Sequence, residues 1–196
     1  MRIGKQVFLL EEVIASPDDA TGWSGFTSFA ALVEKAKALR LSKSQLLTLE
    51  FDSLTTFNRM RPRLSRDDEQ GRTYGSHFAR FPLAEYVFPG LAKRWQELAP
   101  PELVDVVQKE RIERYIEDEG IVIEDFELKT HQVQFAHHPQ RGFVGRCCYD
   151  LRGPDEETTT EEPLTVRQQL VLLAQFAFYC GVGYKSPMGM GRVRLV

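Results

Sequence analysis

The spacing of apolar and polar positions changes several times along the chain, and each change marks an element. Gln6 to Ala15 (QVFLLEEVIA) is a β-rich apolar run and predicts a strand, closed by the turn residues Pro17, Asp18, Asp19 and Gly22. Thr27 or Ser28 then stands as N-cap before FAALVEKAKAL, where Phe29, Leu32, Val33, Ala36 and Leu39 recur at helical spacing. From Gln45 to Phe57 the period drops to two, with Leu47, Leu49 and Phe51 on one side and Thr48 and Glu50 on the other. That pattern predicts a half-buried strand. Pro82 onward reads as a helix ending near Leu98, stopped by Pro100 and Pro101; Glu102 to Tyr115 reads as another, ended by Gly120. Ile121 to Ala136 and Arg141 to Leu151 are strand-like runs on either side of His137 and His138, the form of a β-hairpin. A last helix, Thr165 to Cys180, is apolar on nearly every side, and Arg192 to Val196 is a short strand.

The order condenses to β-α-β-β-α-β, with helices inserted between the second and third strands. This is an α+β, ferredoxin-like domain: one antiparallel sheet with helices on one face. The 196 residues suit one such domain of ordinary globular composition, 42% hydrophobic and 27% charged. The all-round apolar final helix implies burial against both the sheet and something else.

Between the last helix and the last strand, the chain from Gly181 to Arg194 carries Gly181, Gly183, Gly189 and Gly191 together with Lys185, Arg192 and Arg194. Glycine lets backbone N–H groups approach an anion, and no acid in this segment opposes its three cations. A phosphate chain suits such a loop; so does the plainer role of a flexible C-cap before an edge strand. Charge is segregated elsewhere too. Residues 57 to 82 hold six arginines, among them Arg59 and Arg61, against three acids, while Asp155, Glu156, Glu157, Glu161 and Glu162 form an acidic turn. With a net charge of -3, the chain lacks a uniformly basic coat, so any polyanion site must be local.

Cys147, Cys148 and Cys180 are odd in number, with two adjacent, and suit neither a disulfide framework nor a zinc site. They read as small buried hydrophobes in a reducing compartment. With no long apolar span and no signal-like start, a cytoplasmic protein without membrane contact is expected.

Four segments in this order resemble the C-terminal half of the CRISPR repeat-processing endoribonucleases of the RAMP superfamily. They are Leu49 to Arg59 (LEFDSLTTFNR), Phe88 to Trp95 (FPGLAKRW), Gly142 to Gly145 (GFVG) with Tyr149 beyond it, and the Gly181 to Val193 loop. The resemblance spans nearly the whole chain. It implies the RAMP, RRM-like form of the ferredoxin fold, CRISPR repeat RNA as partner, and Gly181, Gly183, Lys185, Gly189, Gly191, Arg192, Arg194, Arg59 and Arg61 as RNA-binding positions. It also implies metal-independent cleavage leaving a 2',3'-cyclic phosphate, so neither metal nor cofactor is expected. Members of the superfamily usually have two such domains, with the catalytic histidine in the first. That position has no counterpart here, so the N-terminal domain appears absent: the chain is a fragment, or a short protein completed by a second copy or by other CRISPR effector subunits.

The chemistry needs a base for the 2'-hydroxyl, an acid for the leaving 5'-oxygen and a cation at the phosphorane. Histidine suits the first two roles. His77, with Tyr74 close by in a basic loop, is the weak candidate; His131 reads as a sheet residue and the His137–His138 pair as a hairpin tip. Trp23 and Trp95 read as core or interface anchors, whereas Phe57 and Tyr184 border cations and are placed to stack on bases. Three functions remain open: an RNA-processing enzyme, a module that binds repeat RNA without cutting it, and a structural subunit whose loop docks protein.

Overall fold

The computed structural model describes residues 2–3, 6–7, 22–59, 77–134, 139–153 and 163–196. Two short strands, β1 (Arg2–Ile3) and β2 (Gln6–Val7), pair with each other; the rest of the run expected to continue to Ala15 lies outside the described residues. Helix α1 (Phe29–Ala38) starts at Ser28, whose Oγ accepts from the Ala31 N–H at 3.1 Å, and buries Leu32, Val33 and Ala36. Strand β3 (Ser44–Thr55) follows. It buries Leu47, Leu49 and Phe51 on one face, as its alternation predicts.

Past β3 lie β4 (Phe57–Arg59) and β5 (His77–Ala79), which form a small antiparallel ladder with His77 opposite Arg59. Helix α2 (Ala84–Leu98) is followed by a 3-10 turn (Pro101–Val106) and α3 (Lys109–Glu117). Here the single helix expected from Glu102 to Tyr115 is broken. The Gln108 N–H is taken by the side chain of Gln169 at 2.9 Å, which restarts the chain as a new helix. Strands β6 (Ile121–Gln134) and β7 (Pro139–Arg152) make the long hairpin, whose tip with His137 and His138 lies outside the described residues. Helix α4 (Val166–Cys180) opens on a capping box between Thr165 and Gln168, and β8 (Val193–Leu195) ends the chain.

The main sheet runs β6-β7-β3-β8, antiparallel throughout. Taking β3, β6, β7 and β8 as first to fourth, this is the 4-1-3-2 order of a ferredoxin-like sheet. The expected class holds, but its elements shift. The helices expected as an insertion between strands 2 and 3 are the first crossover of the unit, and α1 precedes it. The run at 45–57 can take the central place because β3 has a partner on each edge.

Helix α4 lies against the sheet, with α1, α2 and α3 packed on it. Its residues Val166 to Ala174, with Phe176 and Ala177, are buried. The second cover expected for this helix is therefore supplied within the chain over this length. Trp95 is fully buried where α2 meets α1 and α4, edge-on to Phe29 and Phe176, with its Nε1–H donating to the Leu103 carbonyl at 3.0 Å. Buried Arg167 ties the start of α4 to the sheet's end, donating to the carbonyls of Ser42, Leu151 and Gly153.

Candidate nucleic-acid interface

The register of β3 against β7 shifts between Phe51 and Thr55, and that irregular stretch leaves backbone groups for another segment. The glycine-rich loop takes them. Tyr184 N–H donates to the Thr56 carbonyl at 2.8 Å, Gly191 N–H to Leu54 at 3.0 Å, and Arg192 N–H to Ser53 Oγ at 2.8 Å; Asp52 N–H returns a bond to Arg192 at 3.0 Å. Within the loop, Val182 N–H donates to Gly191, Met188 N–H to Lys185 and Gly189 N–H to Ser186. Many of the amides expected to cradle an anion thus hold the loop together and against β3.

The glycines explain how the loop lies so close. Gly181, Gly183, Gly189 and Gly191 all have positive φ. A Cβ on Gly183 would stand 2.5 Å from the Thr56 carbonyl oxygen, and one on Gly191 would stand 1.8 Å from that of Val182. Their need is close approach of backbone to backbone. Lys185 is the one non-glycine of the loop in the left-handed region, with φ 60° and ψ 32°. This less-populated conformation sits next to Tyr184, whose ring lies 5.3 Å from the Lys185 Nζ.

Arg94, on α2, lies within the FPGLAKRW segment. Its guanidinium donates to the carbonyls of Cys180 (2.7 Å), Gly181 (2.6 Å) and Gly183 (2.7 Å) and to Ser186 Oγ (2.9 Å). No sequence signal marks that role, because the acceptors, three backbone carbonyls and one hydroxyl, lie some ninety residues away. Burial pushes the adjacent Cys180 thiol up to about 11, with the charge and hydrogen bond of Arg94 pulling the other way; the thiol is neutral at physiological pH.

Tyr184 stands between two grooves. One, about 430 Å³, is lined by Asn58, Tyr86, Lys93, Arg94, Gly183 and Tyr184 among others. The second, about 330 Å³, is formed by Phe78, Arg80, Pro139, Gln140, Arg141 and Tyr184. Phe78 meets Tyr184 at a ring distance of 5.3 Å. Folding therefore gathers Lys93, Arg80, Arg141 and Lys185 around one half-buried aromatic, a combination suited to a polyanion carrying planar bases. Lys93, Arg80 and Arg141 were not singled out as binding positions from the sequence.

Arg192 and Arg194 lie elsewhere, against the helix-free face of the sheet, and the acids absent from their own segment come from β3. Arg194 makes a fork to Glu50 Oε2, 2.7 Å from Nε and 2.6 Å from Nη2, while Arg192 lies 3.5 Å from Asp52. Both guanidinium groups cover the Trp23 ring at 4.3 and 4.4 Å from its centroid, and Trp23 stacks on Phe178. Trp23, expected as a core or interface anchor, is half-buried under these two arginines. Phe57, expected to face bases, is instead a core residue packed on Phe143 and Tyr86. Arg59 and His77 are placed by backbone alone, with Phe78, next to His77, at the Tyr184 ring; Arg61 and Tyr74 lie outside the described residues.

Glu50 holds Arg146 as well, at 2.9 Å. The hydrogen bond from Arg146 keeps its carboxyl below the ordinary value of 4.5; burial opposes this, and the hydrogen bond and charge of Arg194 add to the lowering. The stability it contributes is present above that ordinary value and is lost as pH falls through the lowered one. Glu50→Gln should therefore flatten the acid side of the stability profile. By releasing two guanidinium groups it should also delay elution from a heparin column; unchanged elution would mean that Glu50 does not mask this face.

Among the described residues, no three or more His, Cys, Asp or Glu side chains converge as a metal site, and no helix is long and apolar enough to cross a membrane. No curated protein matches the chain. Solved structures do. Thermus thermophilus Cas6 (TTHB231) is 22% identical with a TM-score of 0.64, covering 96% of this chain and 65% of that one. A Cas6 (TTHB231) product complex gives 23% and 0.68 over 95% and 62%, and a Cas6 (TTHA0078) substrate mimic complex gives 24% and 0.55 over 91% and 62%. The chain thus spans less than two thirds of these proteins, and at such identities the likeness shows the fold. The sequence model of CRISPR-associated endoribonuclease Cas6 matches residues 49–193, from the middle of β3 through both crossovers and the glycine-rich loop to β8, and the chain belongs to that family.

Proposed function

We propose that this chain binds CRISPR repeat RNA along the grooves on either side of Tyr184 and takes part in the processing of pre-crRNA. The observation that carries this reading is the gathering of Lys185, Lys93, Arg80 and Arg141 around Tyr184 by a loop anchored to the sheet. Membership in an endoribonuclease family, and fold relatives described as product and substrate-mimic complexes, support it.

The cleavage assigned to this function forms a bond from the 2'-oxygen to phosphorus and breaks the bond from phosphorus to the 5'-oxygen, leaving a 2',3'-cyclic phosphate. A base takes the 2'-hydroxyl proton, an acid protonates the leaving 5'-oxygen, and a cation offsets charge on the phosphorane. Lys185 suits the cation role by its place beside Tyr184. His77 and Tyr74 are this chain's candidates for the acid and base, and a partner domain is the alternative source of those groups. Gly181, Gly183, Gly189 and Gly191 serve as the loop's frame, while Arg59 ends β4 and Arg61 follows two positions on in the basic stretch of the sequence.

Incubating the chain with its host's repeat RNA in EDTA tests the reading. Retention with a cyclic-phosphate product marks a nuclease, retention without a cut marks a binding subunit, and absence of salt-sensitive binding would sink both. Within binding, Lys185→Ala with Arg80→Ala should weaken affinity and reduce the slope of log affinity on log salt by about 0.7 for each phosphate contact removed. Arg194→Ala, which breaks the fork to Glu50, should change that slope less.

A further inference from the structure

Arg94 carries a charge that its described hydrogen bonds do not neutralise. All four acceptors, the carbonyls of Cys180, Gly181 and Gly183 and the Ser186 hydroxyl, are uncharged. Two of these carbonyls belong to the end of α4 and its C-cap, where a cation suits the unpaired carbonyls of a helix terminus. The other two acceptors lie inside the glycine-rich loop, on either side of Tyr184 and Lys185. One planar fork thus spans both the end of the helix and the turn that carries the ring and the ammonium group. Arg94 also lines the larger groove, so the same charge underlies the surface that a ligand would meet.

We propose that Arg94 is a positioning residue: it locks the loop to the end of α4, fixes Tyr184 and Lys185 toward the grooves, and adds positive potential beneath them. This rests on the RNA-binding reading for its functional consequence, while the clamp itself is testable in the free protein. A lysine retains the charge but has one nitrogen, which cannot reach all four acceptors. Loss of the fork therefore separates geometry from charge.

The test compares Arg94→Lys and Arg94→Ala with the unaltered chain by hydrogen exchange of the Val182, Tyr184 and Gly191 amides and by affinity for repeat RNA. In both variants these amides should exchange faster, while those of β3 paired to β7 stay protected. Arg94→Lys should bind RNA several-fold more weakly, and Arg94→Ala about tenfold more weakly, as expected for losing charge-assisted hydrogen bonds. Millimolar guanidinium, against an equal concentration of sodium chloride, should restore part of the Arg94→Ala binding. If Arg94→Ala does not fold, Arg94→Lys decides alone. Wild-type loop protection in Arg94→Lys, or wild-type affinity despite faster loop exchange, overturns the proposal. Failure of the unaltered chain to bind RNA would instead remove the function reading, and the exchange result would still decide the clamp.

Discussion

Gly191→Ala should lower the stability of the chain by about 3–4 kcal/mol and, on the proposed function, weaken retention of repeat RNA. Two costs combine. With φ at +72°, an L side chain loses about 1–2 kcal/mol in the left-handed region. The added Cβ would also stand 1.8 Å from the Val182 carbonyl oxygen, which is backbone and cannot rotate aside. Relieving that clash means parting Val182 from Gly191 and Gly191 from Leu54, two backbone hydrogen bonds worth about 1 kcal/mol each. Against a typical stability of about 5–15 kcal/mol, this is a large fraction, equivalent to about 10 °C in Tm for a chain of this size. Gly189→Ala is the control: its φ is +85°, yet nothing lies within 4 Å of the added Cβ, so only the conformational cost applies. Thermal melts of both variants decide the point, and a Gly191→Ala variant within about 1 kcal/mol of Gly189→Ala would refute the close-approach account.

Trp95→Ala should cost a further order of core stability, about 3–5 kcal/mol, without touching the loop directly. The ring is fully buried and is edge-on to Phe29 from α1 and Phe176 from α4, so its removal opens a cavity where three helices meet. It also strands the Leu103 carbonyl that accepts from Nε1, in the 3-10 turn. Trp95→Phe keeps most of the contact and loses the donor, with an expected cost of about 1–3 kcal/mol for the unpaired acceptor. Urea unfolding followed by circular dichroism should place the midpoints in the order wild type, Trp95→Phe, Trp95→Ala. A midpoint for Trp95→Ala equal to that of Trp95→Phe would show that the hydrogen bond matters and the packing does not.

The elements were largely legible because local periodicity reports burial. Leu47, Leu49 and Phe51 alternate in sequence and face one side of β3; the Thr165–Gln168 capping box opens α4. What could not be read was which crossover belongs to the sheet. Strand β3 pairs with residues about a hundred positions away in β7, and nothing within 45–57 tells a first strand from a second. Phe57 was misplaced for a related reason: its neighbours in sequence are cations, but its neighbours in space are Phe143 and Tyr86.

The candidate binding surface divides in the same way. Glycine spacing and the cations Lys185, Arg192 and Arg194 are properties of the sequence, sufficient to mark the Gly181–Arg194 segment as the place where chemistry concentrates. Sequence order alone also pointed to an α+β, ferredoxin-like class and, through four segments in series, to the family resemblance. Only the tertiary structure decided how those cations are used. Pairing of β3 with β8 sets Glu50 opposite Arg194, and Asp52 lies beside Arg192; both arginines are thereby drawn to the helix-free face. Docking of the loop on β3 sets Tyr184 in the groove with Arg80 and Arg141, and Lys185 beside its ring. The physical reason is range: propensity and periodicity act over a few residues, whereas charge pairing and hydrogen bonding act between whatever the fold brings within a few ångströms, as Arg94 does with carbonyls ninety residues away.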